Sequence, residues 1–252
     1  GISFTTTHLN QAGAQVAIYT DGSIHLNHGG TEMGQGLFIK VAQVVALAFG
    51  VDVSQVLVSA TRTDKVPNTS PTAASAGSDL NGMAALDACN KIKAGLIDFA
   101  CSTYDCAAAD VHFTEGQVRA GSLTFAFADF IKQAYLGRVP LFSSGFYRTP
   151  KIWYDRKRGQ GRPFFYFANG AACAEVTVSA LTGEYRIDRI DILHDVGTSL
   201  NPDIDIGQIE GGFVQGMGWL TTEEMSWNAD GVITSNSPAN YKIPTSADVP
   251  AA

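Results

Sequence analysis

Alternating apolar and polar positions open the chain. Gln15-Val16-Ala17-Ile18-Tyr19, the turn pair Asp21-Gly22 and Ile24-His25-Leu26 predict a β-hairpin. From Leu37 to Phe49 the apolar positions recur at helical spacing, and Gly50 supplies a stop. Residues 56–59 predict a short buried strand. A second helix is expected over about 79–101, with Ser78 or Asp79 as its N-cap. Val111-His112-Phe113 and Gln117-Val118-Arg119 flank Glu115-Gly116 as a second hairpin, and residues 127–136 suit a shorter helix. The Lys- and Arg-rich stretch 148–162 reads as an irregular solvated loop. Strands are expected at 164–167, 174–178 and 185–193, the last two joined at Thr182-Gly183. A further helix starts after Asn201-Pro202 and runs through Trp219, and Asp230-Gly231 marks a fourth turn. The fold class is therefore α+β, with twisted mixed sheets and three main helices, and any subdivision falls near 140–165.

Composition narrows the function. The 252 residues allow one large domain or two small ones. A formal net charge of −7 argues against nucleic acid as a partner, because phosphate neutralisation needs a basic surface. No apolar run approaches the roughly 20 residues of a membrane span, and no secretory signal opens the chain. Cys89, Cys101, Cys106 and Cys173 lack the spacing of an iron–sulfur or zinc site and suit reduced thiols in a cytoplasmic protein. The opening Gly1-Ile2-Ser3-Phe4 is already strand-like, and Val249-Pro250-Ala251-Ala252 follows a loop-like stretch. Both ends are expected to continue in a longer protein.

Loops that run into helices are the chemically informative features. Gly29-Gly30-Thr31-Glu32-Met33-Gly34-Gln35-Gly36 precedes the first helix, where unpaired N–H groups could cradle an anion. It matches neither a Walker A loop nor a dinucleotide fingerprint, so ligand cradle and tight turn both stand. Residues 67–78 repeat the design with small polar side chains. On the last helix, Gln208, Gly211, Gly212, Gln215, Gly216 and Gly218 recur at three- and four-residue spacing. Glycines there cost about 1 kcal/mol each relative to alanine. Such a stripe suits either close approach by another backbone or a cofactor. Acid–base candidates are poor: Glu32 has no sequence partner, and the five histidines show no ligand spacing.

Several of these segments together resemble the xanthine dehydrogenase/oxidase family. They are Gly29 through Gly36, Val66-Pro67-Asn68-Thr69-Ser70, Thr72-Ala73-Ala74-Ser75, Asp79-Leu80-Asn81-Gly82 and Asp203-Ile204-Asp205-Ile206-Gly207-Gln208-Ile209-Glu210-Gly211. The likeness is to its molybdenum-cofactor (molybdopterin)-binding region and covers essentially all of residues 1–252. It implies an oxidoreductase that inserts a water-derived oxygen into hypoxanthine or xanthine, the metal supplying nucleophile and electron sink. Carried onto this sequence, Gln35 would face the molybdenum without ligating it, with Met33 nearby. Ala73, Ala74 and Ser75 would line the site, and Ser75, Ser78 and Gln208 would contact the pterin. Phe4 would form one aromatic wall for the purine, and Thr5 would meet its polar edge.

The family's base glutamate, in a Val-Gly-Glu-Pro stretch, has no counterpart here, nor do the second aromatic wall and the purine-orienting Glu and Arg. A positioned base contributes about 10²–10⁴-fold, so the chain alone is expected to be inactive, with no catalytic residue of its own. The 2Fe-2S clusters and FAD of the family are expected on other segments or subunits of the same enzyme. Two other readings remain: an aldehyde oxidase-type molybdenum hydroxylase, and a non-catalytic truncated fragment.

Overall fold

Residues 1–4, 8–65 and 68–250 are described in a computed structural model. The chain forms two compact units, one of residues 4–167 and one of residues 1–3 with 168 onward.

The larger unit follows the short opening strand β1 (Ile2–Phe4) with β2 (Gln11–Ile18) and β3 (Ile24–His28), the expected hairpin. Period-two alternation puts Ala12, Ala14, Val16 and Ile18 on the buried face of β2. Next come α1 (Leu37–Phe49), β4 (Val56–Val58), parallel to β3, and α2 (Gly77–Tyr104). Leu37, Val41, Val45 and Phe49 form the buried stripe of α1, four residues apart; Leu80, Ala84, Ala88, Ile92, Leu96 and Ala100 do the same on α2. A meander of β5 (Val111–Thr114), β6 (Gln117–Ala120) and β7 (Leu123–Ala126) precedes α3 (Phe127–Leu136). Strand β8 (Phe142–Arg148) then pairs antiparallel with β2, closing the sheet in the order β4-β3-β2-β8. Alanines 84 and 88 on α2 let β8 approach closely: a Cβ at Gly145 would run into the Ala84 carbonyl and the Ala88 nitrogen.

Two expectations change in this unit. Helix α2 begins at Gly77 rather than 79, and its N-cap is Ala76, which has no side-chain oxygen, instead of Ser78 or Asp79. The segment 148–162 is not irregular throughout. It holds a hairpin of β9 (Trp153–Asp155) and β10 (Gln160–Arg162), whose turn is built by Asp155 accepting from the N–H groups of Lys157 and Arg158.

The smaller unit carries a sheet in the order β1-β11-β12, with β11 (Phe167–Val178) antiparallel to β12 (Tyr185–His194). Residues expected as two strands, at 164–167 and 174–178, become one long strand from Phe167. Gly170, inside that strand, serves close pairing, since a Cβ there would stand 3.0 Å from His194 Nδ1. Helix α4 (Pro202–Leu220) starts where expected: Asn201 Oδ1 accepts from the Ile204 N–H at 3.2 Å and Pro202 opens the first turn. At Asp230-Gly231 a tight turn forms, with a single bridge between Trp227 and Ile233 and no regular strands.

Candidate functional site

The glycine-rich loop joins β3 to α1, and its one carboxylate organises it. Glu32 Oε1 accepts from the N–H groups of Gly34 (2.9 Å) and Gly36 (3.1 Å), while Oε2 accepts from Phe38 (2.9 Å). Gly36, the N-cap, sits at φ 75° and Gly34 at φ 98°, conformations that favour glycine. The N-terminus of α1 therefore already holds an anion, its own Glu32. Burial works against that charge, but hydrogen bonds from the Phe38, Gly34 and Gly36 amides outweigh it and hold the carboxyl below the usual glutamate range. The loop makes the tight turn that the sequence allowed, closed by its own carboxylate. Its product is presentation: Met33 is 66% exposed, and the Gln35 amide is braced by Nε2 donating to the Thr31 carbonyl (2.9 Å) and Oε1 accepting from the Met33 N–H (2.6 Å).

A second loop, 72–78, lies beside the first. The Thr31 N–H donates to Thr72 Oγ1 at 2.8 Å, and Asn81 Nδ2 donates to the Gly77 carbonyl at 2.9 Å. A Cβ at Gly30 would stand 2.6 Å from Leu37 Cδ2 and 2.7 Å from Asn81 Nδ2, so glycine is what lets the two loops meet. Met33, Gln35, Ala73, Ala74, Ser75 and Ser78 are thereby brought onto adjoining loops at the N-termini of α1 and α2.

The two helix starts differ in kind. Ala74 and Ser75 both adopt left-handed backbone, at φ 55° and 56°, and their side chains are exposed. No side chain caps α2. Its first N–H groups and partial positive charge face small side chains, an arrangement that fits a bulky anionic group. In the first turn, burial raises the Asp79 carboxyl above the usual aspartate range, opposed by a hydrogen bond with the Tyr166 hydroxyl. The residues present fit an anionic group at α2, whereas at α1 the amides of Gly34, Gly36 and Phe38 are already taken by Glu32.

Behind the loops, His28 is buried. Its Nδ1 accepts from the Gly30 N–H at 3.1 Å, and Phe38 meets its ring edge-on with centroids 5.2 Å apart. Burial pushes it down to about 4, with Glu32 pulling the other way, so it is neutral at pH 7 and supports the loop rather than doing acid–base work.

The remaining predicted residues lie elsewhere. Phe4, half exposed, packs on Phe164 with ring centroids 4.1 Å apart, and Phe164 meets Phe167 edge-on. Sequence reasoning missed Phe164, although the run Phe164-Phe165-Tyr166-Phe167 was a visible signal. Thr5 lies outside the described residues, as do Val66 and Pro67. Gln208 is exposed on α4, in the smaller unit. Around it the glycine stripe is open: among the described residues outside the helix's own backbone, nothing stands within 4 Å of where a Cβ would project from Gly207, Gly211, Gly212 or Gly216. Gly218, by contrast, is closed by Glu223 and Pro244. Among the described residues no cluster of three or more His, Cys, Asp or Glu is placed to hold a metal, and no helix is long and apolar enough to cross a membrane.

The family model of the molybdopterin cofactor-binding domain matches residues 1–250. Xanthine dehydrogenase of Oryza sativa subsp. japonica is 47% identical over 257 residues, covering 99% of this chain and 17% of that protein. Xanthine dehydrogenase/oxidase of Gallus gallus is 46% identical over 250 residues, with the same two coverages. The chain thus spans 17% of the length of these curated relatives. Among solved structures, a Cu,Mo-CO dehydrogenase aligns with a TM-score of 0.85 at 20% identity, over 99% of this chain and 32% of that one. Quinoline 2-oxidoreductase from Pseudomonas putida 86 aligns at 0.82 and 24% identity, over 99% and 33%. At those identities the likeness is one of fold. By its match to the family model, the chain belongs to the molybdopterin cofactor-binding domains, and its sequence is similar to that segment of xanthine dehydrogenases.

Proposed function

We propose that this chain supplies the cofactor-holding part of a purine hydroxylase, a larger cytoplasmic enzyme that takes hypoxanthine or xanthine to urate with water as oxygen source. The observation that carries the reading is the uncapped start of α2, preceded by left-handed Ala74 and Ser75 and tied to the glycine-rich loop through Thr31 and Thr72. When bound, the molybdenum cofactor supplies oxygen insertion and accepts two electrons.

The chain's own residues hold and orient. Ser75, Ser78 and the first N–H groups of α2 would hold the pterin side, and Gln208 on α4 is proposed as a further pterin contact. Small Ala73 and Ala74 leave space for the group. Gln35, already oriented by its two contacts to the loop, faces the metal with Met33 beside it. Phe4 offers a flat wall to the purine, and Thr5 its polar edge.

Proton transfer belongs to another segment. Glu32 is engaged by three backbone amides and so is not disposed as a general base. The isolated chain is therefore inactive, and the base glutamate, the 2Fe-2S clusters and FAD lie on other segments or subunits.

The test is a comparison on the full-length enzyme of xanthine and an aromatic aldehyde as substrates, with molybdenum measured on the same preparation. Faster xanthine turnover supports the reading. Faster aldehyde oxidation would make this an aldehyde oxidase-type hydroxylase, and absence of molybdenum from a host that makes the cofactor would make the chain non-catalytic.

A further inference from the structure

Phe4 on its own would make a poor wall for a flat substrate. It closes the three-residue strand β1, and its side chain is 52% exposed. A ring free on both faces can change rotamer when a ligand presses on one of them. A binding surface works when the rotamers that form it are locked by packing from behind.

Phe164 supplies that packing. The two rings lie with centroids 4.1 Å apart and planes inclined by 38°, so they meet face over face rather than edge to face. One face of Phe4 is backed, and the half of its surface that stays open is what a flat ligand can reach. Phe164 is itself held: Phe167 meets it at 77°, with centroids 5.9 Å apart. Partly buried, Phe164 sits between two half-exposed rings. The backbone is restrained as well. Residues 163–166 form a four-residue connector between the paired strands β10 and β11, and Pro163, with its locked φ, directly precedes Phe164.

We infer that Phe164 is a positioning residue for the substrate site: it backs the Phe4 ring and sets the tilt at which that ring meets a flat heteroaromatic molecule. The inference rests on the reading of Phe4 as the purine wall. It goes beyond that reading by placing part of the selectivity for flat rings one layer behind the surface the substrate touches. Support of this kind acts on bound substrate and transition state alike, so its loss raises KM and spares kcat. It also depends on a flat side chain, which an aliphatic group of similar bulk does not replace.

The experiment is a double-mutant cycle on the full-length enzyme with xanthine as substrate, molybdenum being measured on every preparation. The variants are F4A, F164A, F164L, F164Y and the pair F4A/F164A. F164A and F164L should each raise KM about fivefold, the loss of one aromatic contact, with native molybdenum content. Their kcat should stay within about twofold of native. F164Y keeps the ring and should restore the native KM. The pair should match F4A within about twofold, because Phe164 has nothing to hold once Phe4 is gone. A raised KM in F4A with native KM in F164A and F164L would overturn the inference and leave the Phe4 wall standing. Effects that multiply in the pair, or a KM in F164Y as high as in F164L, would do the same. Loss of kcat or molybdenum in F164A and F164L alike would make Phe164 a structural residue and overturn the inference. A native KM in F4A would overturn the wall and the inference together. F164L and F164Y keep apolar bulk, so they decide even where F164A does not fold.

Discussion

Replacing Glu32 by alanine removes the anion that closes the N-terminus of α1. Three amides lose their acceptor, those of Gly34, Gly36 and Phe38. Loss of a side-chain cap costs about 1 kcal/mol and up to about 2, and loss of a negative charge from a helix start adds about 0.3–1 kcal/mol. The sum, about 2 kcal/mol, corresponds to roughly 30-fold more frequent local opening. Amide hydrogen exchange in the full-length protein reads this directly. Amides from Gly34 through the first turn of α1 should exchange about 30-fold faster in E32A, while those of α3 stay unchanged. In E32Q one oxygen can still accept while the amide nitrogen opposes a backbone N–H, so its effect should be intermediate. The pH dependence has a defined sign. Glu32 is held below its ordinary range when folded, so the cap contributes fully above that range and is lost as pH falls through the folded value. Native protein and E32A should therefore converge in acid. Equal exchange at pH 7, within about threefold, would refute the capping role.

Three other outcomes follow from the same geometry. His28 titrates near 4 when folded against an ordinary 6.5, so unfolded chains take up a proton first as pH falls. Stability of the larger unit should drop by up to about 3 kcal/mol between those values, visible as faster exchange in β3; a flat profile would contradict the burial of a neutral ring. G145A would drive a methyl into the Ala84 carbonyl and the Ala88 nitrogen, costing about 3 kcal/mol, and an unchanged melting temperature would contradict the β8–α2 packing. F4A should raise KM for a flat heteroaromatic substrate about tenfold, the loss of one stacked ring, and an unchanged KM would remove Phe4 from the substrate wall.

Local chemistry was legible where one short signal sets the structure. Asp21-Gly22 made its hairpin, Gly50 stopped α1, and Asn201-Pro202 started α4 as expected. Roles set by tertiary contact were not. Glu32 looked like an unpaired carboxylate because its partners are backbone amides up to six residues onward, invisible to any side-chain pattern. The strands expected at 164–167 and 174–178 are one strand, β11, and the fit of Gly170 against His194 on the neighbouring strand could not be seen in a single segment. The α2 start was misread because Ser78 and Asp79 are good caps by type, whereas left-handed Ala74 and Ser75 bring the chain into the helix earlier. For the site, the motifs placed Met33, Gln35, Ala73, Ala74, Ser75 and Ser78 on adjoining loops, but periodicity alone could not say which of the two helix starts was open.

If the start of α2 holds the molybdenum cofactor as proposed, metal content depends on residues 74 and 75. In the full-length protein, A74V and S75V put β-branched side chains where the backbone is left-handed and crowd the exposed loop. Elemental analysis should find about one molybdenum per native chain, the stoichiometry of a single resident cofactor, and little in either variant, with the exchange protection of α1 retained. Native-level molybdenum in both folded variants would mean that the start of α2 does not hold the cofactor.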